Sequence, residues 1–159
     1  MKPAPPATRT CITQYAIIRS VRSYEIVEHT ADIGIRASGG TLEELFCRMA
    51  EGMFSLIAPP EQVRPTRSIP IRAEAADRER LLVAWLRELL YRFDTEHFLG
   101  RQFQIQRLEP TRLEATAAGE TLDPARHAQD KEVKAVTYCD LSVRQMPDGA
   151  WTAQVIFDI

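Results

Sequence analysis

The stretch YEIVEHTADIGIRASGGTLEELFCRMAEGMFSLIAPP (24–60) changes its hydrophobic period halfway along, and that change sets the fold class. Up to Gly40 it reads as short strands: YEIVEH (24–29) and IGIRASGG (33–40) are β-prone runs, the second closed by turn residues. From Thr41 onward, Leu42, Leu45, Phe46, Met49, Met53, Phe54 and Ile57 recur at helical spacing. Thr41 stands where an N-cap belongs and Glu44, three residues on, completes a capping box. Pro59 and Pro60 stop the run. The methionines of the stripe read as core filler.

Downstream, the same two periods recur in uneven order. SIPIRAEA (68–75) is a strand pattern. Asp77 can cap a second helix reaching about Asp94, with Leu81, Leu82, Trp85, Leu86, Leu89, Leu90 and Phe93 as its apolar stripe. Strands are expected at 101–109 and 111–118, joined near Pro110. A closing pair is expected at 132–146 and 150–158, turned at Pro147-Asp148-Gly149. Helices are too few for alternating βα units. The expected architecture is therefore α+β, with two helices packed on a largely antiparallel sheet in one domain, 23–159.

Composition narrows the function classes. The chain has 159 residues, 45% hydrophobic and 26% charged, ordinary values for a globular protein with a real core. Net charge is −2, but residues 1–22 carry Lys2, Arg9, Arg19 and Arg22 and no acid, so the remainder stands at 16 − 22 = −6. An acidic body argues against direct grasp of a nucleic-acid backbone. Cys11, Cys47 and Cys139 are odd in number and lack CxxC spacing, which fits reduced thiols rather than a disulfide framework or zinc site. No run approaches the roughly 20 apolar residues of a membrane span. The opening MKPAPPATRTCITQYAIIRS is interrupted by Thr13, Gln14 and Arg19 and reads as a disordered extension over 1–22, not a signal peptide. The expected location is the cytoplasm, away from membranes.

The candidate chemistry lies at two distant places. EHTADIG (28–34) sets His29 and Asp32 three apart between strand patterns, where they form either a metal corner or an ordinary turn. In WTAQVIFDI (151–159), period 2 puts Trp151, Ala153, Val155 and Phe157 on one face and Thr152, Gln154, Ile156 and Asp158 on the other. Asp158 then lies beside the α-carboxylate of Ile159, and adjacent carboxylates repel unless a cation or donors neutralise them. A hard divalent cation would do so, and Asp32 could join if the strands are neighbours. Alternation in EVKAVTY (132–138) groups Lys134 with Glu132, Val136 and Tyr138, which by itself describes a surface lysine. His97 and His127 have no partners at metal spacing and read as surface or structural residues. Phosphate-loop, nucleophile-elbow and Cys–His signatures are absent.

Together, HTADIG (29–34), TLEELF (41–46), GMFSLI (52–57), WLRELLYRFDTE (85–96), EVKAVTY (132–138) and VIFDI (155–159) resemble, in that order, the archease family. The resemblance runs from Tyr24 to Ile159. It implies a small α+β protein that assists the GTP-dependent RNA ligase of tRNA splicing and RNA repair without being the ligase. Such a protein promotes guanylylation of the ligase's active-site histidine, allows repeated turnover and can widen the nucleotide accepted. Carried onto this chain, the resemblance puts the metal-binding aspartates at Asp32 and Asp158, with the terminal residue Ile159 beside them. It puts the ligase-stimulating lysine at Lys134 and gives His29 a supporting part. The cation it implies is Ca2+, with Mn2+ and Mg2+ as alternatives. Two features depart from the family pattern: the basic tail is longer than the family needs, and Cys139 follows VTY where histidine or another polar residue is common. A second reading, a metal-dependent phosphoester hydrolase using Asp32, Asp158 and His29, lacks a nucleophile and a substrate-pocket signature.

Overall fold

A computed structural model describes residues 24–28 and 32–159, and the backbone alone of 9–10. His29 and most of the 1–22 extension lie outside the described residues. The strands are β1 (Arg9–Thr10), β2 (Tyr24–Glu28), β3 (Asp32–Gly39), β4 (Arg67–Glu74), β5 (Phe98–Glu109), β6 (Arg112–Thr121), β7 (Ala135–Val136), β8 (Ser142–Gln145) and β9 (Trp151–Asp158). The helices are α1 (Leu42–Ile57) and α2 (Arg78–Glu96). Neither is long and apolar enough to cross a membrane.

Both helices start where side-chain chemistry places them. Thr41 Oγ1 accepts from the Glu44 amide at 3.2 Å, and Asp77 Oδ1 accepts from the Arg80 amide at 2.8 Å. The Glu44 carboxylate pairs with Arg48 one turn on, at 2.5 Å.

The strands form two sheets, not one. One runs β1-β5-β6-β4; the other runs β2-β3-β9-β7, with β8 also on β9. Every described pairing is antiparallel. Each helix touches both sheets: α1 meets β2, β3 and β9 on one side and β5 on the other, and α2 meets β4, β5 and β6 as well as β7 and β8. Enclosure on two sides buries α1 almost all round, including Cys47, Ala50, Glu51 and Gly52, which lie off its apolar stripe. Gly52 lets the helix sit close to the second sheet, since a Cβ there would lie 2.9 Å from Ile35 Cγ2. On the other side Phe54 stacks on Phe103 at 5.8 Å, and Trp85 meets Phe103 edge-on at 6.0 Å. The buried Trp85 indole donates to the Phe46 carbonyl at 2.9 Å. One apolar cluster spans both helices and both sheets.

The expected continuous strand over 132–146 is broken. Within that stretch only β7 and β8 pair with β9, and residues 137–141 connect them. Asp140 takes a left-handed φ of 49°, and the Leu141 amide donates to the Tyr138 carbonyl, so the chain turns and then rejoins β9. The hairpin at Pro147-Asp148-Gly149 does form, with Gly149 at φ 90°. The alternation expected across EVKAVTY fails for the same reason. Val133 and Val136 are both buried while Lys134 and Tyr138 are exposed, because the strand begins only at Ala135.

Candidate functional site

In β3 and β9, Ile33, Ile35 and Ala37 pair with Phe157, Val155 and Ala153, and all six are buried toward the helices. That register turns Asp32, Gly34, Arg36, Asp158, Ile156 and Gln154 to the opposite face. Three rows result. In the first, Arg36 Nε donates to Gln154 Oε1 at 2.7 Å, so the pair satisfies itself. In the second, Ile156 packs over Gly34, where a Cβ would lie 3.0 Å from Ile156 Cδ1, and Ile156 is buried although it lies outside the main core. In the third, Asp32 stands directly opposite Asp158.

This juxtaposition unites two acidic motifs that lie 126 positions apart (158 − 32). Directly opposed cross-strand residues place their Cβ atoms about 4.5–5.5 Å apart on one face, and like charges there destabilise the pair. Both aspartates are half-buried, and among the described residues neither carboxylate has an ion-pair or hydrogen-bond partner. A hard cation fits that donor chemistry. No group of three or more His, Cys, Asp or Glu side chains suited to a metal occurs among the described residues, so any third protein oxygen must come from elsewhere. Ile159, half-buried against the core, directly follows Asp158.

Lys134 sits at the same end of the sheet. Its backbone N–H donates to the Asp158 carbonyl at 2.8 Å, Ala135 pairs with Asp158, and its own side chain is exposed. Next along, the Thr137 amide and hydroxyl both donate to the Ile156 carbonyl, at 3.0 and 2.9 Å. Asp32, Asp158 and Lys134 are thus brought together by backbone register.

The segment delivering Lys134 is anchored twice. The amides of Asp130 and Lys131 donate to the carbonyls of Ile57 and Leu56, capping the buried C-terminal end of α1 at 3.0 Å each. Upstream, the buried Glu120 carboxylate receives the Arg126 guanidinium and the Arg64 amide, and lies 3.2 Å from Nε2 of the buried His127. His127 Nδ1 accepts from the Asp123 amide at 2.8 Å, which leaves Nε2 as the protonated nitrogen facing Glu120. These bonds, led by Arg126, hold the Glu120 carboxyl down to about 2 from its ordinary 4.5. Because the folded value is depressed, this stabilisation is present above pH ~4.5 and lost as pH falls toward 2. Glu120→Gln should therefore cost about 1.5 kcal/mol at pH 7, the low end for charged hydrogen bonds because Arg126 is partly solvated. The difference from wild type should shrink in urea melts at pH 3.

The sequence reading missed this polar cluster. His127 reads as a surface or structural residue; it is buried and structural, not on the surface, and nothing local marks Glu120 as its partner across the β6 turn. It also missed Glu51, whose burial follows from the second sheet covering α1.

Residues 24–159 match the model of the archease protein family (MTH1598/TM1083). "Protein archease" of Thermococcus kodakarensis is 40% identical over 143 residues, covering 87% of this chain and all of the relative. "Protein archease" of Pyrococcus furiosus is 41% identical over 142 residues, with the same coverage of both chains. The solution structure of Methanobacterium thermoautotrophicum protein 1598 superposes with a TM-score of 0.71 at 34% identity, covering 87% of this chain and all of that one.

Proposed function

Since this chain belongs to the archease family, we propose that it is a non-catalytic, metal-binding activator of the GTP-dependent RNA ligase of tRNA splicing and RNA repair. It acts by promoting guanylylation of the ligase's active-site histidine, which permits repeated turnover. The observation that supports this reading is the register pairing of Asp32 with Asp158, with the Lys134 amide bound to the Asp158 carbonyl.

In this reading Asp32, Asp158 and the α-carboxylate of Ile159 hold a divalent cation, Ca2+ by its preference for several oxygen ligands, or Mn2+ or Mg2+. When bound, such a cation would supply positive charge against the phosphate charge that develops in nucleotidyl transfer. The chain's own residues do the rest. The paired strands fix both carboxylates on one face, and Ile156 lying over Gly34 keeps the row beside them dry. Lys134 presents an ammonium to a phosphate or carboxylate of the partner. The net −6 of residues 23–159 suits docking to a basic, RNA-handling protein.

Lys134→Ala tests the reading. The exposed side chain fills no core space, so stability should change by less than about 0.5 kcal/mol and metal affinity should hold. Single-turnover guanylylation of the ligase, measured at limiting activator, should fall by about tenfold, the loss of one charge-assisted contact. Full stimulation by the alanine variant would remove Lys134 from the mechanism.

A further inference from the structure

The strand that directly follows Lys134 is only Ala135–Val136, and it is the outermost strand on that side of β9. Two-residue strands held along one edge open readily. Here α2 reaches across to close that edge. Arg87 chelates the Val136 carbonyl through Nε at 3.2 Å and Nη2 at 3.0 Å, while its Nη1 donates to the Tyr138 hydroxyl at 3.1 Å. The same guanidinium lies 4.6 Å from the centre of the Tyr138 ring, so one planar group engages both sides of the bend after β7. Tyr138 is 51% exposed, which means little apolar burial holds this bend in place.

We propose that Arg87 is a positioning residue for Lys134. By fixing the Val136 carbonyl it keeps β7 on β9, and so keeps the Lys134 amide on the Asp158 carbonyl and the lysine beside the paired aspartates. This inference rests on the activator reading for its functional consequence, but its structural part stands apart from any ligase. Lysine cannot replace arginine at this position. An ammonium has no planar fork to chelate one carbonyl while lying flat on an aromatic ring.

The test uses Arg87→Lys, with Tyr138→Phe as a second variant. Amide hydrogen exchange of the whole protein should show the Lys134 and Thr137 amides exchanging at least about tenfold faster in Arg87→Lys, with β5 and β6 amides unchanged. In the guanylylation assay, Arg87→Lys should lower stimulation several-fold, and Arg87→Lys with Lys134→Ala should be no worse than Lys134→Ala alone. Tyr138→Phe keeps the ring under the guanidinium and should cost no more than about twofold. Unchanged exchange at Lys134 and Thr137 would overturn the proposal, as would additive losses in the double variant. A Tyr138→Phe loss equal to that of Arg87→Lys would also overturn it, by making the Arg87–Tyr138 plate itself the partner contact. If Lys134→Ala retains full stimulation, the activator reading of Lys134 fails, and the exchange measurement still decides whether Arg87 holds the strand.

Discussion

Asp32→Asn and Asp158→Asn are each expected to weaken divalent-cation binding by at least about a hundredfold and to abolish stimulation of the ligase, while the cation-free protein keeps its fold. The expectation follows from the register. The two side chains are opposed across β3 and β9 on the face away from the core, so amide replacement opens no cavity. What it removes is one of the three anionic donors proposed for the cation, and hard cations select for anionic oxygen. Without metal, each variant should be as stable as wild type or firmer by about 0.5 kcal/mol, because one like-charge cross-strand pair disappears. Titration calorimetry with Ca2+ and Mn2+, beside thermal melts in chelator, separates the two effects. Loss of stimulation together with a collapsed cation-free fold would point to a structural role instead. Undiminished cation affinity in both variants would move the metal elsewhere.

The period change at Gly40–Thr41 is enough to specify β2, β3 and α1, because strand and helix burial repeat on different spacings and turn residues separate them. Both N-caps were legible for the same local reason. The second sheet was not. Nothing local distinguishes two antiparallel sheets around a pair of helices from one sheet beneath them, since strand pairing is set by contacts far apart in sequence. The clue lay in α1 itself, where small residues flank the large-residue stripe on both sides: Cys47 donates to the Phe103 carbonyl of one sheet, and Gly52 lies against Ile35 of the other. The candidate site divides the same way. Asp158 could be turned outward by counting twos, but its meeting with Asp32 depends on which strands become neighbours. Arg87 was invisible because its partner is a backbone carbonyl, which carries no sequence signal.

Glu51→Gln is expected to reshape the pH dependence of stability. Glu51 is 8% exposed on α1, and its Oε2 has no hydrogen-bond partner among the described residues. It adjoins a narrow cleft lined by Tyr24, Phe54, Ser55, Leu99 and Arg101. Burial pushes its carboxyl up from 4.5 to about 7, against the pull of Arg101 and Arg48 and with a further push from Glu44. A raised folded value means that the native state keeps a proton the unfolded chain has already released. Stability linked to this group is therefore fully present below pH ~4.5, declines between pH ~4.5 and ~7, and is flat above. The whole decline amounts to about 3 kcal/mol at 1.36 kcal/mol per pH unit. Glutamine has the same shape and no charge at any of these pH values. It also brings a second donor hydrogen into a buried place, at a cost of about 1 kcal/mol. The variant should thus be slightly less stable than wild type at pH 4.5 and about 2 kcal/mol more stable at pH 8, a rise in Tm of about 4–8 °C for a chain of this size. Urea unfolding of both proteins from pH 4.5 to 8 measures the difference directly, since every other titrating group is common to the pair. If the two stability curves run parallel across that range, the Glu51 carboxyl titrates normally and the buried proton is ruled out. A crossing near pH 5–6 is the result that burial between two sheets requires.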